Sequence, residues 1–307
     1  MLFEESKKIF VRRCLALSLS QNTINYYLDG FKVLEKFLTK RKITDIETIS
    51  EGDILDLIVE LQKKYSPVSV ADRFRGFKVF FTYLHQHGYI PISPMINLHK
   101  PKVPKVKART FTNNEVLKII NFYNKNDTTH FYEYRNYTIM SILFGTGIRK
   151  SELLGMTVFD VHFDENIISV VGKGNKQRYI PIGILLKKIL KKYIALREVI
   201  ANKKENTSPA LIITKNGESL SVYGLDMVFR ELKENLNIPT RRLSAHTFRH
   251  TFAKNFLLNG GDIYSLQRIL GHEDITTTQI YLEFNNNELR IQNDKFNPLD
   301  NTRWQYY

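Results

Sequence analysis

The chain has 307 residues, 43% of them hydrophobic and 12% aromatic, enough to give two domains of ordinary size a core each and too apolar for a disordered chain. Lys and Arg number 45 against 31 Asp and Glu, and the formal charge of +14 points to a polyanionic partner, nucleic acid ahead of a membrane surface. One cysteine, Cys14, excludes an internal disulfide and a cysteine-based zinc site and fits a reducing cytoplasm. No apolar run reaches the roughly 18 residues of a membrane span. The opening MLFEESKKIF places acids before any apolar stretch, which predicts no secretion signal.

The first hundred residues predict a bundle of about four helices. Ile24, Tyr27, Leu28, Phe31, Leu34, Phe37 and Leu38 step by three and one along a single helix face. Ser50 is an N-cap candidate before Ile54, Leu55, Ile58, Val59 and Leu61. A further helix follows Ser66-Pro67, runs through Phe74, Phe77, Phe80, Phe81 and Leu84, and ends near Gly88. Composition then shifts. In NLHKPKVPKVKART, Pro101 and Pro104 break any helix while Lys100, Lys102, Lys105, Lys107 and Arg109 supply charge, as in an extended linker suited to tracking phosphates.

Thr112 and Glu115 form a capping-box pattern that opens the second domain. A helix through Tyr134 and Phe144 stops at GTG, and the short helix SELLGM follows. IISVV and RYIPI read as two strands around a tight GKGNK turn, and helical patterns return from Leu225. The expected fold is mainly α with a small antiparallel β-sheet. The expected divisions are a helical bundle over 1–98, a basic linker over 99–111, an α+β domain over 112–284 and a tail over 285–307.

Several polar residues stand where packing does not call for them. Arg149 follows a glycine-bracketed turn, Lys173 lies at a hairpin tip, and His246 and Arg249 are three apart on one helix face. His272 sits in a Gly-led turn, with Tyr281 on the next short helix. Taken singly, Arg149 reads as a surface ion-pair partner, Lys173 as a turn lysine, His246 and His250 as core histidines, and Tyr281 as a packing residue. Their joint order of Arg, Lys, His-x-x-Arg, Gly-His and Tyr carries the weight.

With GTGIRKSELLGM, VVGKGNKQRYIP, AHTFRHTFAKNFLLNGGDIYSLQRILGHEDITTTQIYL and SPVSVADRFRGFKVFFTYL, the chain resembles the tyrosine recombinases (the phage-integrase family) over roughly residues 5–285, and its short Xer-like members most closely. One departure follows Tyr281: many Xer relatives carry a histidine two positions on, where this chain has Glu283. The resemblance implies an N-terminal core-type DNA-binding bundle, a catalytic domain, and DNA cleavage by Tyr281 through a 3′-phosphotyrosine and a Holliday junction. It implies a catalytic set of Arg149, Lys173, His246, Arg249, His272 and Tyr281, with no metal and no cofactor.

The chemistry suits those residue types. The transition state spreads negative charge over non-bridging oxygens, which two arginine forks can hold. A phenol of pKa about 10 needs a proton acceptor, and His246 fits by titration range. The leaving 5′ oxygen needs a proton, which the resemblance assigns to Lys173; on residue chemistry alone Lys176 stays open. His272 is expected to hydrogen-bond the phosphate, and Glu152 to fix a neighbouring side chain or backbone.

Arg73, Arg75, Lys78, Lys102, Lys105, Lys107, Arg241 and Arg242 are the candidate DNA contacts, each equally readable as a solvated face. The partner implied is double-stranded DNA with a specific core site, without an arm-binding domain. A homo-tetramer on paired sites is expected, with a related recombinase or activator protein as a further partner and a tail passed between protomers. Competing readings are a type IB topoisomerase or telomere resolvase with the same chemistry, and a catalytically silent DNA-binding protein.

Overall fold

The computed structural model describes residues 1–104, 109–124, 130–203, 207–238 and 243–297. Two compact units divide the chain, Met1–Val106 and Lys107–Tyr307.

In the first unit, α1 (Phe3–Ala16), α2 (Gln21–Lys40), α3 (Glu51–Gln62) and α4 (Pro67–Gln86) form the bundle. Ser20, Ser50 and Ser66 each accept a backbone N–H three residues on, and Pro67 fills the first turn of α4, where a missing N–H costs nothing. Phe10, Phe31 and Phe80 meet at the centre, with Phe31 and Phe80 ring centroids 4.7 Å apart. This aromatic knot joins α1, α2 and α4 and buries the face read from the 3.6-residue spacing.

The second unit is built round α6 (Phe131–Thr146), which is buried along nearly its whole length. Against it pack α5 (Asn113–Tyr123), α8 (Ile184–Ala201) and α10 (Ala245–Leu258). The Thr112 capping box opens α5 as expected. The helical α7 (Lys150–Gly155) leads to a sheet of β1 (Val161–His162), β2 (Ile167–Val171) and β3 (Gln177–Pro181), antiparallel in that order. Sequence periodicity anticipated β2 and β3 but not the two-residue β1. Beyond α9 (Val222–Leu236) and α10 come α11 (Ile263–Leu270), α12 (Thr276–Gln279) continued by a 3-10 turn over Ile280–Leu282, and α13 (Asn286–Phe296). A satellite core of Ala253, Leu257, Leu266, Leu270 and Tyr281 ties α10, α11 and the Tyr281 turn together.

The chain turns at Gly147, with φ of 62°. A side chain there would be strained, and its Cβ would sit 2.5 Å from Phe252 Cδ1. Gly147 therefore lets α6 end close against α10, and the next two residues deliver Arg149 to the start of α7.

Candidate active site

Arg149 is the N-cap of α7. Its backbone N–H donates to Glu152 Oε2 at 2.7 Å and its Nη1 to Glu152 Oε1 at 2.8 Å. The same carboxylate accepts a two-pronged bond from Arg178 on β3, Nη1 at 2.8 Å and Nη2 at 2.9 Å. Burial alone would raise the Glu152 pKa, but Arg178 and the Arg149 backbone and side chain overcome it and hold the group at about 2. Glu152 thus fixes Arg149, while the Arg149 side chain stays 40% exposed. Arg149 borders two clefts, one of about 450 Å3 shared with His246 and Arg249 and one of about 540 Å3 shared with Arg178, Arg268 and His272.

Arg249 projects from α10 into a nearly closed environment, 3% exposed. Nη1 donates to the Gly147 carbonyl and Nη2 to the Leu270 carbonyl, each at 2.8 Å, and Nη2 also reaches His272 Nε2 at 2.8 Å. Desolvation first, then the nearby Arg149 charge, lowers its pKa to about 10. Carbonyl oxygens and a histidine hold this guanidinium, and among the described residues no carboxylate is hydrogen-bonded to it, so its charge is not neutralised by a direct ion pair there. Gly271, with φ of 65°, makes the bend that presents His272. Desolvation and the charges of Arg249, Arg149 and Arg178 bring His272 to about 4, so it is neutral at pH 7.

His246 keeps an exposed edge on α10, while desolvation of the rest and the charges of Arg249 and Arg149 push its pKa down. Its ring lies 4.1 Å from that of His250, whose buried Nδ1 has no partner among the described residues. His250 in turn lies 5.3 Å from the Tyr281 ring. Tyr281 is 5% exposed, and desolvation raises its pKa against the opposing charges of Arg249 and Arg149. Its ring is near-parallel to His272, 6.4 Å away.

Arg149, His246, Arg249, His272 and Tyr281 thus share one region of the second unit. Lys173 occupies the tight turn between β2 and β3, closed by the Gly172 N–H donating to the Lys176 carbonyl at 2.8 Å; its side chain is outside what the structure describes. Lys176 pairs with Glu273 at 2.6 Å on the outer rim.

The DNA-contact candidates are less uniform. Arg75 and Lys102 are exposed, with Arg75 donating to Asp72 at 3.1 Å. Arg73 lies over the Tyr65 ring at 4.0 Å, and Lys78 donates to the Leu98 carbonyl at 3.0 Å, so both are engaged inside their own unit. Lys105, Lys107, Arg241 and Arg242 lie outside the described residues. Sequence reading missed Thr278, buried beside His272; its one signal was a position three residues before Tyr281, on the same helical side.

A family profile described as "Phage integrase family" matches residues 109–288, and one described as "Phage integrase, N-terminal SAM-like domain" matches residues 14–88. The chain belongs to the phage integrase family. It is a tyrosine site-specific recombinase, and its activity is site-specific DNA recombination. It is similar to tyrosine recombinase XerD of Staphylococcus epidermidis, 31% identical over 284 residues, covering 91% of this chain and 94% of that protein. The crystal structure of XerA recombinase matches with a TM-score of 0.54 and 26% identity, covering 96% of this chain and 99% of that one. XerH site-specific recombinase bound to palindromic difH substrate shares the fold, with a TM-score of 0.75 at 19% identity over 90% of this chain and 80% of that one. The topoisomerase, telomere-resolvase and silent-binder alternatives are not favoured.

Proposed function

We propose that this recombinase cleaves double-stranded DNA at a specific core site through attack by Tyr281 on the scissile phosphate. The Tyr281 oxygen forms a bond to phosphorus, the bond to the 5′ oxygen breaks, and the chain is left joined to a 3′ phosphate. The phenol proton passes to His246, and Lys173 supplies a proton to the departing 5′ oxygen. Arg149 and Arg249 hold the non-bridging oxygens, His272 hydrogen-bonds the phosphate, and Glu152 positions Arg149. The attack of a second 5′ hydroxyl reverses the chemistry on another strand, and two such rounds pass through a Holliday junction. The bond energy stays in the phosphotyrosine, so neither ATP nor metal is required.

The observation that carries this reading is the grouping of Arg249, His272 and the buried Tyr281 in one cluster, with Arg149 and His272 lining the same cationic cleft. The XerH relative was solved on difH DNA, which supports a duplex partner. Arg75 and Lys102 contribute DNA contacts, joined by Arg73, Lys78, Lys105, Lys107, Arg241 and Arg242 where they reach phosphate. The recombinase works in the cytoplasm on the nucleoid as a tetramer on paired sites, in Xer-like dimer resolution or in mobile-element integration and excision, alone or with a related recombinase or activator. Among the described residues no helix is long and apolar enough to cross a membrane.

The test is a plasmid carrying two copies of a core site selected from a random DNA pool, incubated with the protein and a metal chelator. Recombinant circles are expected. Relaxation of a plasmid that lacks the site, without recombinants, would favour a topoisomerase instead.

A further inference from the structure

Thr278 is fully buried, three residues before Tyr281. Its Oγ1 lies 2.7 Å from His272 Nδ1, and the other ring nitrogen, Nε2, lies 2.8 Å from Arg249 Nη2. A guanidinium nitrogen donates and has no lone pair to accept with. Nε2 must therefore be the acceptor. The proton of the neutral imidazole then sits on Nδ1, and it is donated to Thr278 Oγ1. The hydroxyl, the imidazole and the guanidinium form one chain that runs from the turn carrying Tyr281 to α10.

We propose that Thr278 is a positioning residue for the recombination reaction: it fixes His272 as the Nδ1–H tautomer and ties the Tyr281 turn to the phosphate-holding Arg249. This rests on the roles given above to His272, Arg249 and Tyr281. Before DNA arrives, the Nε2 lone pair accepts from Arg249 Nη2. When a phosphate oxygen takes over as the acceptor for Arg249, Nε2 is released, takes a proton from solvent water and donates it in a hydrogen bond to that phosphate. Thr278 accepts from Nδ1–H in both charge states, so the ring gains or loses that proton without turning. Without the hydroxyl, the Nδ1–H would be buried with no acceptor, and the other tautomer would set an N–H against the N–H groups of Arg249.

The charged and titratable groups around His272 are Arg249 and His250 from α10, Arg149 and Glu152 from α7, Lys176 and Arg178 from the β2–β3 hairpin, Arg268 from α11 and Tyr281 beyond α12, with Glu273 and Asp274 on its own loop. Thr278→Val leaves all of them in place.

The experiment compares full-length wild type, Thr278→Val and Thr278→Ser. Two readouts are taken: covalent adduct formation in a single turnover on nicked core-site DNA across pH, and nitrogen-15 imidazole spectra of the DNA-free protein. Wild-type His272 is expected as the Nδ1–H tautomer. Thr278→Ser should cleave within about threefold of wild type, and Thr278→Val about 10–100-fold slower at unchanged DNA affinity, the scale of lost outer-shell support to a histidine. The limb on which cleavage falls with rising pH should move to lower pH in Thr278→Val, since the imidazolium loses an acceptor and holds its proton less tightly. Three results would overturn the proposal: an Nε2–H tautomer in wild type, a Thr278→Val rate and profile equal to wild type, or equal loss in Val and Ser, which marks packing alone. If Thr278→Val does not fold, the wild-type spectrum decides. A persistent adduct in Tyr281→Phe would instead reject the catalytic assignment and leave the tautomer result standing.

Discussion

Arg178 grips Glu152 with both prongs of its guanidinium, at 2.8 and 2.9 Å, although Arg178 is on β3 and Glu152 on α7. The carboxylate is 2% exposed and holds Arg149 as well. The sheet and the cleft-lining Arg149 are therefore linked through one buried charge. Glu152→Gln keeps the shape and removes the charge, leaving Arg178 buried against a neutral amide. Breaking such a pair on one side costs about 3–5 kcal/mol. Urea denaturation should show that loss together with slower DNA cleavage; an unchanged midpoint would mean that the pair contributes nothing.

Acid should destabilise the protein in two steps. His250 and His272 are each lowered to about 4, chiefly by desolvation, against about 6.5 unfolded. A histidine with a lowered folded pKa contributes stability that is fully present above the unfolded value and lost as pH falls toward the folded one. Glu152, held at about 2 against about 4.3 unfolded, keeps its contribution until pH falls below the unfolded value and loses it as pH approaches 2. Denaturation midpoints should fall first between about pH 6.5 and 4, and His250→Gln should flatten that first step. A flat wild-type profile across it would contradict the neutral histidines.

Lys173→Ala should slow cleavage by a factor of about 100 or more, because an alkoxide would have to leave unprotonated. A substrate with sulfur at the bridging 5′ position leaves without that proton. Its cleavage should be largely restored for Lys173→Ala but not for Arg149→Ala or Arg249→Ala. Equal failure on both substrates would move the acid role to Lys176.

Helix α13 packs on its own chain in this structure. Gln292 Nε2 donates to the Leu258 carbonyl at 2.9 Å, Lys254 pairs with Glu288 at 2.7 Å, and Phe296 lies against Gly260. Leu289, Ile291 and Phe296 are nonetheless about half exposed, at 52%, 46% and 50%, which leaves apolar surface open along α13. Truncation after Phe284 should preserve DNA binding and abolish synapsis and strand exchange, read by gel shift and by recombinant yield. Full recombination by the truncated chain would reduce α13 to a local cover.

Local spacing made part of this legible. The i to i+3 relation of Arg149 and Glu152, the pairing of His246 with Arg249, the Thr112 capping box and the alternation in IISVV each depend on neighbours a few residues away. Arg249 shows what spacing does not reach: its bonds go to Gly147 and Leu270, 102 and 21 residues distant. The Arg178 grip on Glu152 spans 26 residues, beyond the reach of any helical or strand spacing. Arg73 and Lys78 read as outward charges because a helical face gives direction only. Where a long side chain puts its head is set by the Tyr65 ring and the Leu98 carbonyl, which come from other segments.

The most direct measurement of the central claim is the mass of the peptide that carries DNA after reaction with a nicked core-site duplex. Wild-type protein should yield one modified tryptic peptide, with the 3′ phosphate on Tyr281, and Tyr281→Phe should bind the same DNA and yield none. Adduct on another residue, or adduct of undiminished yield in Tyr281→Phe, would contradict the account.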